Sequence, residues 1–192
     1  MLLPGFSHPD SKYQVVVEVM PLHKIKTSYL LAIDPGSTAT GAALFANRRL
    51  LDVWSRSSPS KEGRVRRSYL IITELNDWVW RKVPRTVTID VVYEDPAPFA
   101  FNGRVVAIPE LQRFIGMLEY WAEHNDRVAT ITGYNVSRVK ATIAGKTSAT
   151  KEDIEKLMRY VYNLPDAKYP SHVWDAVAVG GYHILQAEGR NG

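Results

Sequence analysis

The sequence predicts an α/β fold in which a mixed five-stranded sheet is flanked by helices. Three short apolar runs of strand length come first, two further such runs alternate with helical patterns, and three helical segments follow. Consecutive strands are typical of a meander, whereas alternating strands and helices are typical of crossover units, so the combination indicates a mixed sheet. The chain has 192 residues, of which 45% are hydrophobic, and this is sufficient for a single core.

The first three strands lie close together in the sequence. Residues 29–33 form a continuous apolar run, typical of a strand buried on both faces, which ends at Asp34-Pro35-Gly36. The apolar runs 41–45 and 50–54 are separated by only four residues. This spacing predicts a hairpin of two further strands.

A helix and a fourth strand are predicted next. Pro84 ends a helical pattern over 61–81, and the β-branched run 86–93 predicts a strand that ends at Glu94. Residues 95–105 predict a loop, because they are rich in proline and aromatic residues. The apolar positions of the helix recur every three or four residues: Val65, Tyr69, Ile72, Leu75 and Val79.

The C-terminal half predicts a further helix and strand and then three helices. The apolar stripe Ile108, Leu111, Ile115 and Leu118 marks the first helix, and a short strand over 128–131 follows it. The last three helices are predicted at 136–144, 151–162 and 171–186.

Two regions are distinguished along the chain. Residues 28–192 predict one domain, and residues 1–27 predict an N-terminal extension. Within the extension, the apolar run Val15 to Val19 is long enough for one additional strand.

The composition excludes several classes of chemistry. The chain has no cysteine, which rules out disulfides, thiolate catalysis and zinc sites built on cysteine. The formal charge of +4 favours a polyanionic partner only slightly. No apolar run approaches the roughly 18 residues that a membrane span needs, and the first residues lack a signal-peptide pattern. We therefore expect a cytoplasmic protein without membrane contact.

Three acidic residues and a histidine are the candidate catalytic and metal-binding residues. Asp34 and Glu94 each directly follow a predicted buried strand, and ligands of open α/β sheets gather at the carboxyl ends of strands. If the first and fourth strands are parallel neighbours, these two side chains meet at one edge. Asp175 lies near the start of the last helix, and His172 lies three residues earlier on the same helix face.

Convergence of these acids would require a cation. Two carboxylates 4 Å apart repel by about 4 kcal/mol at an effective dielectric constant near 20. A divalent ion removes this cost, and oxygen-rich sites suit Mg²⁺ or Mn²⁺. The chemistry expected is phosphodiester hydrolysis with two metal ions per site, and Asp34 is the candidate to bridge them. Taken singly, each residue is equally well explained as a turn, a solvated carboxylate or a surface histidine.

Four segments resemble the motifs of the RuvC family of Holliday junction resolvases, within the RNase H-like superfamily. They are AIDPGSTATGAALF (32–45), VVYEDPAPF (91–99), SRVKATIAGKTSATKEDIEKLMRYV (137–161) and HVWDAVAVGGYH (172–183). The resemblance covers residues 29–186 and implies an RNase H-like fold and a metal-dependent endodeoxyribonuclease that cuts four-way DNA junctions. It also implies a homodimer, because symmetrical cuts in two strands need two active sites.

By position, the resemblance makes Asp34, Glu94 and Asp175 metal ligands. His172 stands where many members of the family carry an aspartate. Imidazole binds Mn²⁺ well, so we expect higher activity with Mn²⁺ than with Mg²⁺.

The resemblance also implies a DNA-binding surface. Lys140 and Lys151 correspond to lysines that contact phosphates, and Arg138 and Lys146 extend the same positive segment. The alternative is a solvated basic face. Phe99 and Phe101 lie where the family places an aromatic residue that stacks on a base at the junction centre, although both could instead belong to the core.

Alternatives remain open for the dimer interface and for the reaction. The stripe of the helix that contains Ile115, together with Trp121 at its end, is the candidate interface, unless this stripe only covers the sheet. An RNase H-like nuclease of RNA precursors or RNA–DNA hybrids is the alternative function, and a non-catalytic DNA-binding module is a third. A nucleotide-dependent kinase-like ATPase is disfavoured, because the chain is short and lacks a second phosphate loop, so no nucleotide cofactor is expected.

Overall fold

Twelve helices and strands make up the described part of the chain. The computed structural model describes residues 28–36, 38–57, 63–95, 99–101, 104–106, 109–164 and 168–189. The elements are β1 (Tyr29–Asp34), β2 (Ala39–Ala46), β3 (Arg49–Ser57), α1 (Arg64–Lys82), β4 (Ile89–Asp95), β5 (Phe99–Phe101), β6 (Arg104–Val106), α2 (Pro109–Glu123), β7 (Val128–Asn135), α3 (Val136–Ala144), α4 (Lys151–Tyr162) and α5 (Ser171–Gly189).

Five strands form one mixed sheet, in the order β3-β2-β1-β4-β7. β2 pairs antiparallel with both β1 and β3, whereas β4 pairs parallel with both β1 and β7. The predicted five-stranded mixed sheet is confirmed, and so is the parallel pairing of the first and fourth strands. The carboxyl ends of β1 and β4 therefore lie at the same edge.

Helices cover both faces of the sheet, which explains why β1 is apolar at successive positions. On one face, Leu30 and Ala32 belong to a buried cluster with Trp174 and Val177 of α5. On the other face, Leu31 and Ile33 pack with residues of α1 and α2.

The stripe of α2 covers the sheet. Ile115 and Leu118 are buried in the same cluster as Leu31 of β1, and Leu111 and Trp121 are partly buried against it. The prediction of this stripe as a dimer interface is therefore wrong for Ile115 and Leu118, because their side chains are already buried within the protomer, whereas Trp121 also lines an open groove. Ile108 lies outside the described residues.

The buried face of α1 matches the predicted one at Ile72, Leu75 and Val79 but differs from it in the first turns. Val65 and Tyr69 are each 60% exposed, whereas Arg67 and Ser68 are buried beside Ile71. The apolar pattern was misleading here because two polar residues occupy the core-facing positions of the first turns.

A short hairpin interrupts the segment that was predicted as a loop. β5 pairs antiparallel with β6, with Phe99 opposite Val106 and Phe101 opposite Arg104. The intervening Asn102-Gly103 is a strong hairpin signal that the prediction overlooked.

The N-terminal extension and the possibility of a membrane span remain to be considered. The N-terminal extension, with its possible strand over Val15 to Val19, lies outside the described residues. Within the described ranges, none of the helices combines the length and the apolar character that crossing a bilayer requires.

Candidate active site

Asp34 and Glu94 occupy the same face at the carboxyl edge of the sheet. Ile33 of β1 is paired with Tyr93 of β4, so the next residue of each strand lies side by side in the register. Side chains alternate along a strand, and Ala32 and Val92 both face α5. Asp34 and Glu94, two positions further on, therefore share the face that α5 covers.

The first turns of α5 place His172 and Asp175 at this edge. The amide of Val173 donates to the carbonyl of Pro170 at the start of the helix. The side chain of Asp175 is only 15% exposed. Nε2 of His172 is buried and has no hydrogen-bond partner among the described residues.

The carboxylates of the site affect one another's ionisation. Burial raises the pKa of Asp34 well above its usual range, and the charges of Glu94 and Asp175 raise it further. Burial and the charge of Asp175 raise the pKa of Glu94 to about 7. Burial also raises the pKa of Asp175. Three acidic groups from β1, β4 and α5 thus lie within electrostatic reach of one another, and each resists ionisation without a compensating positive charge.

The imidazole of His172 is suited to act as a neutral ligand. Burial lowers the pKa of His172, although the nearby charge of Asp175 opposes this effect. A neutral imidazole presents a lone pair to a metal ion, whereas the protonated form does not.

Two of the predicted lysines lie beside the acids. The ammonium nitrogen of Lys151 is 3.6 Å from Oδ2 of Asp175 and 3.3 Å from the hydroxyl oxygen of Ser171. The positive charges of Lys140 and Lys151 lower the pKa of both Glu94 and Asp175. These lysines therefore already compensate part of the negative charge.

Local capping explains how α3 and α4 present these lysines. The side chain of Asn135, the last residue of β7, accepts hydrogen bonds from the amides of Ser137 and Arg138, so α3 begins directly where the strand ends. Thr150 and Asp153 form a reciprocal capping box at the start of α4, and Lys151 is the first residue of that helix.

The other predicted DNA-binding residues have different surroundings. Nζ of Lys146 lies 3.0 Å from Oδ2 of Asp153, at the capping box of α4. The side chain of Arg138 is exposed on α3. Phe99 and Phe101 lie in β5, shortly after Glu94 in the chain, but their side chains lie outside the described part of the structure.

Sequence reasoning missed Thr40, which holds the turn after Asp34. This buried residue donates its hydroxyl hydrogen to the carbonyl of Gly36 at 3.0 Å and accepts from the amide of Gly36 at 3.3 Å. The hydroxyl thus ties the turn to the start of β2. A buried threonine among small residues gives no pattern by which this role could have been recognised.

The donor set fits a divalent cation. The site contains three mutually repelling carboxyl groups and a buried imidazole nitrogen without a partner, and a cation would satisfy both features. Among the described residues, however, no three His, Asp or Glu side chains are gathered closely enough to hold a metal ion as they stand.

Comparison with known proteins identifies relatives that share one name. A crossover junction endodeoxyribonuclease RuvC from Halothermothrix orenii is 26% identical over 158 residues, which cover 80% of this chain and 90% of that protein. The protein of the same name from Treponema pallidum is 23% identical over 172 residues, covering 88% of this chain and 83% of the relative.

Solved structures show the same fold. Thermus thermophilus RuvC superposes with a TM-score of 0.64 at 24% identity, over 83% of this chain and 95% of that one. The yeast mitochondrial Holliday junction resolvase Ydc2 gives a TM-score of 0.53 at 13% identity, over 86% and 81% of the two chains.

The family model for crossover junction endodeoxyribonuclease RuvC matches residues 30–183, from β1 into α5. This range contains all of the five-stranded sheet except Tyr29, and it contains all four candidate catalytic residues. The chain therefore belongs to the RuvC family.

Proposed function

We propose that this protein is a Holliday junction resolvase, a metal-dependent endodeoxyribonuclease that cuts four-way DNA junctions in the cytoplasm. The observation that supports this most is the electrostatic interaction of Asp34, Glu94 and Asp175 at one sheet edge with one another and with Lys140 and Lys151. A T. thermophilus RuvC with the same fold has been solved in complex with a Holliday junction substrate, at 23% identity and a TM-score of 0.63.

Asp34, Glu94, His172 and Asp175 would hold two divalent ions, Mg²⁺ or Mn²⁺. Bound ions of this kind supply an activated water and neutralise charge that develops on the phosphate. Asp34 would be the central residue of this set, because its charge interacts with both Glu94 and Asp175.

The protein's own residues contribute binding and orientation. Lys140 and Lys151 would attract the scissile phosphate to the site, because both carry positive charge beside the acids. Arg138 on α3 and Lys146 in the turn before α4 would extend the same positive surface to neighbouring phosphates. The buried and unpartnered Nε2 of His172 would serve as a metal ligand or as a partner for water.

A base at the junction centre would be held by stacking. Phe99 or Phe101 is the proposed stacking residue, because β5 follows Glu94 after a short connection and belongs to a separate two-stranded hairpin. Aromatic stacking of this kind contributes about 1 to 3 kcal/mol per base.

The active species is proposed to be a homodimer that associates through a groove between α1 and α2. This groove has a volume of about 690 Å³ and lies on the side of α2 away from the sheet. Tyr69 and Tyr120 line it and are 60% and 65% exposed, and nothing lies within 4 Å of the Cβ position at Gly116. A second copy would cover these rings and would supply the second active site that paired cuts require.

One assay tests the proposal. Cleavage of a labelled four-way junction is compared with cleavage of duplex DNA, single-stranded DNA and an RNA–DNA hybrid of the same sequence, with Mn²⁺, with Mg²⁺ and with chelator. The proposal requires metal-dependent cutting that strongly favours the junction. Preference for the hybrid would identify the alternative RNase H-like function, and binding without cutting would identify a non-catalytic module.

A further inference from the structure

The start of α5 touches the sheet backbone at Gly41. Gly41 lies opposite Asp34 in the antiparallel pairing of β1 and β2. A Cβ atom at Gly41 would lie 2.1 Å from the carbonyl oxygen of His172, 2.4 Å from its carbonyl carbon and 2.8 Å from the amide nitrogen of Val173. All three are backbone atoms, which cannot rotate aside as the end of a long side chain can.

We propose that Gly41 is a positioning residue for the active site, because its missing side chain lets the first turn of α5 lie directly on β2. Through this contact, His172 and Asp175 reach the edge at which Asp34 and Glu94 lie. The inference rests on the proposed function, since it assigns Gly41 to the geometry of the proposed metal site.

The sheet positions beneath α5 become larger with distance from this edge. Alternate residues of β2 face the helix, and the sequence along this row is Gly41, Ala43 and Phe45. At the far end the small residue belongs to the helix instead, because a Cβ at Gly180 would lie 2.3 Å from Cε2 of Phe45. The two glycines thus allow close approach at both places, but only Gly41 lies beside the proposed ligands.

The expected displacement is large on the scale of a catalytic site. An ordinary contact begins at 3.4 Å, so a methyl group at Gly41 forces the backbone of His172 away by about 1 Å or more. Misplacement of about 1 Å can cost about 100-fold in rate. Since metal ligands must be held closely, cation affinity should fall together with the rate.

The test is Gly41→Ala, with Mn²⁺ affinity measured by titration calorimetry and by electron paramagnetic resonance of the free ion. We expect Mn²⁺ to bind at least 10-fold more weakly and junction cleavage to slow by about 100-fold. Junction binding in chelator should stay within threefold of wild type, since the lysines on α3 and α4 are not moved. Raised Mn²⁺ should partly restore cleavage by this variant.

Gly181→Ala is the matched control on α5. Its added Cβ meets only the ends of two side chains, Tyr162 and Ile143, at 3.1 and 3.7 Å. Mn²⁺ affinity should therefore remain within threefold of wild type. Equal loss of affinity in Gly41→Ala and Gly181→Ala would overturn the inference, because general loosening of the helix would then explain both.

A second variant covers the case in which Gly41→Ala does not fold. Pro170 accepts the hydrogen bond from Val173 at the start of α5, so Pro170→Gly gives the first turn freedom to move away. The double variant should fold and should still bind Mn²⁺ weakly. If a folded Gly41→Ala variant or the double variant binds Mn²⁺ as tightly as the wild type, the inference is overturned but the proposed function is not. Lack of Mn²⁺ binding and cleavage by the wild-type protein overturns the proposed function.

Discussion

The ammonium group of Lys151 lies 3.6 Å from the carboxylate of Asp175 and so joins the first turn of α4 to that of α5 at the edge of the candidate site. This cation is 63% exposed, whereas the side chain of its partner is only 15% exposed. Lys151 can therefore turn towards solvent or a phosphate, while Asp175 stays in the site. The positive charge of Lys151 stabilises the ionised carboxylate of Asp175 when no cation or DNA is bound.

Replacement of Lys151 should slow cleavage more than loss of a positive charge elsewhere on the same helix. For Lys151→Ala we expect junction cleavage to slow by about 10- to 100-fold and the slope of log binding constant against log salt to fall by about 0.9. Lys156→Ala removes the same charge from an exposed position of the same helix and should change the rate less than threefold. Cleavage rates at several salt concentrations compare the two variants. Equal effects of Lys151→Ala and Lys156→Ala would contradict a role of Lys151 in the site.

Asp34→Asn should separate cutting from binding. We expect cleavage to become undetectable, while junction affinity in gel-shift assays remains within a few fold of wild type. Loss of a repelling charge should leave the metal-free protein as stable as before or more stable, because burial and two neighbouring acids already disfavour the ionised form. Asp126→Asn, at an exposed position, is the control. A drop in melting temperature of more than about 5 °C would assign Asp34 a structural role instead.

Metal-free protein should lose stability as the pH rises. The pKa of Glu94 is about 7 in the folded chain against 4.5 for the unperturbed group, so the folded state holds its proton more tightly than the unfolded state. Unfolding free energy should therefore fall between about pH 4.5 and pH 7, by on the order of 1 to 3 kcal/mol. Thermal melts in chelator at intervals from pH 5 to pH 8 measure this.

Two comparisons bear on that pH dependence. Glu94→Gln should flatten the decline, whereas Glu123→Gln at an exposed position should leave it unchanged. Mn²⁺ should stabilise the protein more at pH 8 than at pH 5, because ligands must be deprotonated to bind the cation. Melting temperatures that rise with pH in chelator would contradict the arrangement of buried acids.

The choice of metal should depend on His172. Imidazole favours Mn²⁺ over Mg²⁺ more strongly than a carboxylate does, so wild-type cleavage should be faster with Mn²⁺ at equal concentrations. His172→Asp should narrow this difference by about 10-fold, because it supplies a hard oxygen ligand. Initial rates over a concentration series of each ion test this. Faster wild-type cleavage with Mg²⁺ would contradict the prediction.

Association should depend on the groove between α1 and α2. Tyr120→Glu places a charge on an exposed ring position there and should convert a dimer to a monomer in analytical ultracentrifugation. Leu51→Glu, at an apolar position of β3 that is 52% exposed, is the control and should leave the dimer intact. The monomer should still bind Mn²⁺ but should lose paired cuts of the junction. A dimer that survives Tyr120→Glu would place the interface elsewhere.

Much of the sheet was predictable because strand patterns are local. The apolar runs located β1 to β4 and the start of β7, and Pro84 marked the end of α1. The position of Asp34 and Glu94 at strand ends predicted that they would meet, since parallel neighbours share a carboxyl edge. Their role as metal ligands stays a prediction.

Packing faces were harder to predict, because hydrophobic periodicity does not show which partner covers an apolar stripe. Ile115 and Leu118 of α2 had the appearance of an interface but cover the protomer's own sheet. In α1, buried Arg67 and Ser68 interrupt the apolar pattern on the face that is in fact covered.

The sequence by itself determined the order of the strands and helices apart from the β5–β6 hairpin, the identity of the acids and the resemblance to the RuvC family. Only the tertiary structure decided that α5 lies on β2 at Gly41 and that Lys151 pairs with Asp175. Propensity and periodicity act over a few neighbouring residues, whereas these contacts join segments far apart in the chain. Their geometry depends on how closely a helix and a sheet can approach, and this is set by side-chain volume at the point of contact.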